Sequence, residues 1–599
     1  MVWCMETKKK FAKNDIMKLE GENMAVDLKK SPFFLDDEAI EWVNKTMNSM
    51  TLEEKIGQMF INLGASSDEN YVRNLVENYH IGGARFTETD ARKVFDQNKN
   101  YQKYSKVPMF VAVNGETGGN GICKEGTFVA TEAECEASGD SGSAYGMGLV
   151  SGREAEALGC NWNFAPMADI VLNWRNTIVN TRSFGRDTNT VLDMCRAYLK
   201  GNNESNVLSC VKHFPGDGTE ERDQHLVLGI NELSCEEWDN SFGKVYKALI
   251  DDGLESIMVG HIALPSYSRK FNKDLTDDDI MPASLAPELV QGLLRDKLGF
   301  QGIVVTDASH MGGMNTMLPR SLQVPRAIAA GCDMFLFFQN PEEDVHYMLE
   351  GYNSGLITEE RLQEAMLRIL GMKAKLGLHK KRMSEVFDEK KVLGCEEHLK
   401  IAENIAEKAI TLVKDTQKLL PVSVKEKKRA KLYFYESAPV SLVDGSDKAR
   451  RIVVEELESA GFEVDVNKSY YDYELEGASR FNRFKIMDKP KVENLKSQYD
   501  IVFVFVNMKG YAQENNVRVK LSAPHSNELA WWTHEVPTVC VSLNYTNHLY
   551  DLPMMKTFIN AYAPTRACIR AAINKIVGKS PFTGAYNENV WCDTWVTKL

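Results

Sequence analysis

At 599 residues and 67.5 kDa the chain is too long for one hydrophobic core, so two domains of unequal size are expected. Its 71 basic and 84 acidic residues are intermixed, and the net charge of −13 argues against nucleic acid or an anionic membrane and for a neutral substrate. Twelve scattered cysteines form no Cys-x-x-Cys or paired spacing, which excludes a zinc or disulfide framework.

No apolar run approaches the roughly 20 residues of a membrane span, and the start lacks the apolar core of a signal peptide. A cytoplasmic protein is expected, with its cysteines as buried thiols. Residues 1–30 read as a polar, disordered tail, and the stretch Leu19-Glu20-Gly21-Glu22-Asn23 is compatible with translation that begins at Met24.

From Leu35, helical spacing of Ile40, Val43, Met47 and Met50 predicts an amphipathic helix, and Thr51 with Glu54 forms a capping box for the next. Eight apolar runs then recur between helical stretches, at 58–63, 81–86, 108–114, 161–170, 208–214, 256–264, 302–308 and 332–338. They are apolar almost throughout, as parallel strands buried on both faces are. One intervening helix, 284–298, has Ser284 as its expected N-cap and Leu289, Leu293 and Leu294 on its inner face.

This alternation predicts an α/β fold, a (β/α)₈ TIM-like barrel over residues 31–375. Beyond it, the cluster Lys380-Lys381-Arg382 reads as a solvated linker within 376–400. Residues 401–599 form a C-terminal α/β sandwich domain, with strands expected at 431–435, 462–466, 501–507, 538–544 and 557–561. That part contains no glycine-rich phosphate loop and no repeat, and no cofactor is expected.

The barrel reading sorts the polar residues, because reactive groups belong at the C-terminal ends of strands. Asn114-Gly115-Glu116 closes the third run, Lys212-His213 the fifth, His261 the sixth and Thr306-Asp307 the seventh. Asp307, at the end of a very apolar strand, is either a desolvated nucleophile or a helix cap. In the loop that follows Lys212-His213, Asp223 can orient His225 as a general acid/base, or the two form an idle surface pair. Glycines and a proline in that loop provide mobility and close approach.

Lys212 either binds hydroxyls at the barrel mouth or pairs with Glu116, while His213 binds them or is a satisfied core histidine. Arg182, after the fourth run, binds substrate or bridges loops. Trp162 and Trp174 read as packing residues rather than sugar-stacking ones. Metal binding by His213, Asp217 and His225 is disfavoured, since no tight ligand cluster is present and no metal is expected.

The order Lys212-His213-Phe214-Pro215-Gly216-x-Gly218, Asp223-x-His225 and Val305-Thr306-Asp307 resembles glycoside hydrolase family 3, within it the β-N-acetylglucosaminidase branch. The resemblance runs from about residue 50 through the Asp307 segment, and more weakly from Ala409 to Val422. It implies a retaining hydrolase with Asp307 as nucleophile and His225, assisted by Asp223, as acid/base. It also implies that Arg182, Lys212 and His213 bind the non-reducing terminal sugar.

The sequence departs from the branch at Asn114-Gly115-Glu116-Thr117-Gly118-Gly119-Asn120, where Asp-x-Glu-Gly-Gly-Arg is usual, at Thr181 and at Asp217. These changes bear on substrate identity more than on reaction type. The expected activity is that of an exo-β-N-acetylhexosaminidase that releases N-acetylglucosamine from small glycans or cell-wall fragments. A β-glucosidase, a glycoside phosphorylase and a catalytically silent sugar-binding protein are the alternatives. The partner is a small glycan, and the chain acts as a monomer or homodimer.

Overall fold

The computed structural model describes residues 26–86, 89–383, 387, 389–436, 446–469, 472, 479, 490–508, 516–521 and 528–599. The proposed start at Met24 and most of the N-terminal tail lie outside them. Two compact units are present: the first takes residues 1–128, 145–170 and 187–395, the second 129–144, 171–186 and 396–599. The second unit thus begins at Glu396 and also takes in two stretches from the 31–375 region. No described helix is long and apolar enough to cross a membrane.

In the first unit eight parallel strands close a barrel: β1 Phe60–Gly64, β2 Gly83–Phe86, β3 Phe110–Val113, β4 Trp162–Asn163, β5 Leu208–Phe214, β6 Ser256–Val259, β7 Ile303–Ala308 and β8 Met334–Leu336. Each falls within, or one residue beyond, its apolar run. β4 is the shortest, although the run 161–170 is apolar for much longer. Pro166 lacks an N–H to donate, so the regular ladder stops and only an isolated bridge from Met167 to Lys212 continues it.

The Thr51–Glu54 capping box opens the helix Leu52–Gln58 as expected. Ser284 does not cap the helix that follows it. That helix is a π-helix, Glu288–Lys297, which starts at Pro287, and the Ser284 hydroxyl is taken by His261 instead. In the 380–382 cluster Lys380 and Lys381 are exposed as expected, whereas Arg382 donates to the carbonyls of Gln102, Ser105 and Lys106.

At the opposite end of the barrel from the strand C-termini, Asp333 is fully buried before β8 and accepts from Val304 N at 2.9 Å and Arg295 Nη2 at 2.8 Å. Arg361 and Arg368 complete an ion-paired cluster around it. Burial pushes the Asp333 carboxyl up, but the three guanidiniums hold it below the ordinary range. Asp333→Asn leaves Arg295 without its carboxylate and Arg361 and Arg368 with Glu364 alone, so we expect a loss of about 3–5 kcal/mol. Urea unfolding followed by barrel tryptophan fluorescence measures it; an unchanged midpoint would show that the cluster does not hold the barrel base together.

The second unit is built on a six-stranded sheet of β9 Thr411–Asp415, β10 Arg429–Glu436, β11 Glu463–Val466, β12 Ile501–Asn507, β13 Thr538–Ser542 and β14 Thr557–Asn560, in the order β9-β14-β13-β12-β10-β11. All pairs are parallel except β9 with β14. Five of the six were expected. β9 was not, since an antiparallel edge strand that ends in Lys414 and Asp415 lacks the long apolar run of a central parallel one.

Candidate active site

The C-terminal ends of β3, β5, β6 and β7 bring the reactive residues of the first unit into one bowl. β5 is buried at every position. Its ladder to β6 shifts register between Val211 and Phe214, and this irregularity at Lys212-His213 re-aims both side chains. A second irregularity, between Met334 and Leu336, lies opposite Thr306 and Asp307.

His213 stands between two carboxylates: its Nδ1 is 2.7 Å from Asp169 Oδ2 and its Nε2 3.8 Å from Asp307 Oδ2. Asp169 also accepts from the backbone N–H of His213 at 3.2 Å and of Asp217 at 2.8 Å. One buried carboxylate therefore fixes both the ring and the start of the loop. Lys212 is buried against Glu116 as an ion pair, the bonding form of the two anticipated for it. Asn114 is half-buried just beyond β3.

Asp307 is buried, with Oδ1 accepting from the Ala308 N–H at 2.7 Å. Burial raises its pKa, but His213, His261, His225 and that N–H outweigh burial and hold it down at about 2. The carboxylate is therefore ionised under all ordinary conditions.

The loop after β5 is pinned rather than loose. Gly216, at φ +122°, lies where a Cβ would meet the Phe242 ring at 2.1 Å. Trp238 Nε1 donates to the Pro215 carbonyl at 2.8 Å, and Asn231 Nδ2 to the Gly216 carbonyl at 3.1 Å. What Gly216 supplies in this loop is close approach.

Within this loop Asp223 is buried, and its Oδ1 accepts from both the backbone N–H of His225 (2.8 Å) and the ring Nδ1 (2.6 Å). A carboxylate so placed requires the proton on Nδ1, which leaves Nε2 to give or take a proton. Asp223 Oδ2 is buried without a hydrogen-bond partner among the described residues, so its charge acts largely on the ring.

Two backbone hydrogen bonds tie this loop to the one after β7: Gly312 N–H donates to the His225 carbonyl at 2.8 Å and Gly313 N–H to the Gln224 carbonyl at 3.0 Å. A Cβ on Gly312 would fall 2.1 Å from the Leu226 carbonyl oxygen, and one on Gly313 2.8 Å from that of Gln224. Gln224 in turn accepts from the His261 N–H at 2.6 Å. His261 is fully buried, with Nε2 donating to the Ala308 carbonyl at 3.0 Å and Nδ1 accepting from Ser284 at 2.8 Å. Burial lowers its pKa, consistent with this neutral tautomer.

The structure thus gathers Asp307, His225, Asp223, Lys212, His213 and Glu116 in one unit. Arg182 lies in the 171–186 stretch of the second unit, where its N–H donates to the Val179 carbonyl at 2.5 Å. Trp162 is buried in the barrel, with Nε1 donating to Ser256 at 2.8 Å, and Trp174 is buried in the second unit. Both pack. His213 and His225 are each engaged by a separate carboxylate, and no metal-holding group occurs among the described residues.

Sequence reasoning missed Asp169 and Arg85. Each is a lone charge in an apolar run, Asp169 in Met167-Ala168-Asp169-Ile170 and Arg85 at the end of 81–86, and that contrast was the available signal.

A barrel whose strand ends hold an ionised carboxylate beside a carboxylate-supported histidine is equipped for covalent catalysis with acid/base assistance. The glycosyl hydrolase family 3 N-terminal domain matches residues 51–372, and the chain belongs to that family. It is 38% identical over 576 residues to a β-N-acetylglucosaminidase/β-glucosidase of Cellulomonas fimi, covering 96% of this chain and all of that protein. The solved structure of a β-glucoside phosphorylase, BglX, superposes with a TM-score of 0.86 at 35% identity, over 95% of this chain and 99% of the other. A family 3 β-N-acetylglucosaminidase from a Paenibacillus strain shares the fold, with a TM-score of 0.76 at 23% identity over 90% and 98% of the two chains.

Proposed function

We propose that this chain is a retaining, exo-acting β-glycosidase that releases terminal β-linked N-acetylglucosamine or glucose from small glycans or cell-wall fragments. The observation that carries this reading is the Asp223–His225 pair, tied through Gly312 and Gly313 to the segment that bears Asp307. In the first step Asp307 attacks the anomeric carbon while His225 Nε2 gives its proton to the leaving oxygen. In the second, Nε2 takes a proton from water, which displaces the sugar from the Asp307 ester. In most retaining glycosidases a second carboxyl group performs the proton transfers that fall to His225 in this chain.

Lys212, His213, Asn114 and Glu116 are proposed to bind the terminal sugar. The free, mostly buried described thiols support a reducing compartment, the cytoplasm.

Phosphorolysis is the second reading, and the likeness to a β-glucoside phosphorylase at 35% identity favours it. A neutral histidine, unlike a carboxylate base, does not repel an incoming phosphate. A panel of aryl glycosides assayed with and without inorganic phosphate tests both readings. We expect turnover of the β-N-acetylglucosaminide or the β-glucoside, with β configuration in the first-formed product. Free sugar alone in saturating phosphate rules out phosphorolysis, and sugar binding without any turnover overturns the enzymatic reading in favour of a binding protein.

A further inference from the structure

The His213 ring lies between a carboxylate that follows β4 and one carried by β7. Asp169 Oδ2 is 2.7 Å from its Nδ1, and Asp307 Oδ2 is 3.8 Å from its Nε2. All three side chains are buried. A lone pair on either nitrogen would face a negative charge, so only a ring with a proton on each nitrogen suits both oxygens. At Asp307 Oδ2 the ion-pairing neighbour among the described residues is this ring. Elsewhere in the bowl Lys212 is matched by Glu116 and His225 by Asp223.

We propose that Asp169 is a positioning residue that keeps His213 as a buried imidazolium, and that this cation makes Asp307 a good leaving group in the second half-reaction. The proposal rests on the reading of Asp307 as nucleophile. Burial raises the Asp307 pKa, and His213 stands first among the groups that outweigh it.

In the first step an Asp307 oxygen lone pair forms the bond to the anomeric carbon. The bond to the leaving oxygen breaks, its electron pair goes with that oxygen, and Asp307 becomes a neutral ester. In the second step the water oxygen bonds to the anomeric carbon and its proton passes to His225. The bond to Asp307 breaks, and its electron pair returns to a carboxylate beside the waiting cation. Both transition states place positive charge on the sugar, so repulsion from His213 cancels in the ratio of the two rates. The starting states do not cancel. A cation restrains attack by the charged carboxylate and speeds release from the neutral ester.

D169N isolates the charge. Its Oδ1 can still accept the N–H groups of His213 and Asp217, which sets the amide NH₂ against Nδ1 and fixes a neutral ring with Nε2–H towards Asp307. The full-length wild type and D169N are mixed with a dinitrophenyl β-glycoside, whose leaving group departs without a proton, and the pre-steady-state burst gives the rates of both steps. The ratio of release to attack is expected to fall about tenfold or more in D169N, the difference between a charged and a neutral hydrogen-bond partner. KM should then fall together with kcat, which a loosened loop would not produce. An unchanged ratio overturns the proposal.

Nitrogen NMR of ¹⁵N-labelled histidine rings, with H213Q used to assign the His213 signals, reads the wild type directly and does not depend on how D169N folds. Two protonated ring nitrogens are expected in the free enzyme at neutral pH, and a neutral ring overturns the proposal. Trapping with a 2-deoxy-2-fluoro glycoside separates the identity of the nucleophile from the role of Asp169. Label away from Asp307 refutes the nucleophile, and with it the basis of the proposal. Label on Asp307 with an unchanged ratio refutes the role of Asp169 alone.

Discussion

Asp307→Asn is expected to lower kcat on an aryl β-glycoside by about 10⁴-fold or more, roughly 5.5 kcal/mol of transition-state stabilisation. Asparagine matches aspartate in shape, and its oxygen can still accept the Ala308 N–H that now reaches Oδ1 at 2.7 Å. The substitution therefore removes charge and nucleophilicity with little disturbance of the strand end. The native carboxyl, held at about 2, is ionised at every practical pH. Its protonation consequently plays no part in any loss of activity between pH 4 and 6, a range that lies above it. Steady-state kinetics measures the loss, and mass spectrometry of a trapped 2-fluoro sugar should show label on the wild type and none on the variant. Near-normal turnover by D307N would refute the assignment.

His225→Asn is expected to separate substrates by leaving group. An alkyl glycoside needs a proton on its departing oxygen, so loss of the acid should cost about 10²–10⁴-fold in kcat/KM. An aryl group acidic enough to leave unprotonated should depart almost as fast as from the wild type, and the glycosyl-enzyme should then accumulate as a burst. Asparagine retains a polar group near Asp223, whose Oδ1 otherwise loses its ring partner at 2.6 Å. Equal losses on both substrates would show that His225 does not act as the acid and that its contacts are structural.

The barrel was legible because each strand is buried on both faces and so reads as an uninterrupted apolar run, as 208–214 and 302–308 do. The antiparallel edge strand Thr411–Asp415 carries no such run and escaped notice. Asp223, His225 and Asp307 stood out by residue type and by the family's order of motifs. Their geometry did not, because it depends on partners remote in sequence: Asp169 lies 44 residues before His213, and Ser284 lies 23 after His261. Ser284 shows the limit clearly. A serine before a helical run is ordinarily a cap, and only the folded barrel reveals that a buried imidazole has claimed its hydroxyl.

The Gly312–Gly313 tie makes the distance between the proton-transfer group and the nucleophile a property of the main chain. Displacing either loop carries the other with it, so thermal motion at the barrel rim changes their common position more readily than their separation. The π-helix Glu288–Lys297, which lies between them in sequence, takes no part in that tie. Variation in substrate preference across such a scaffold can then accumulate around a fixed chemical gauge.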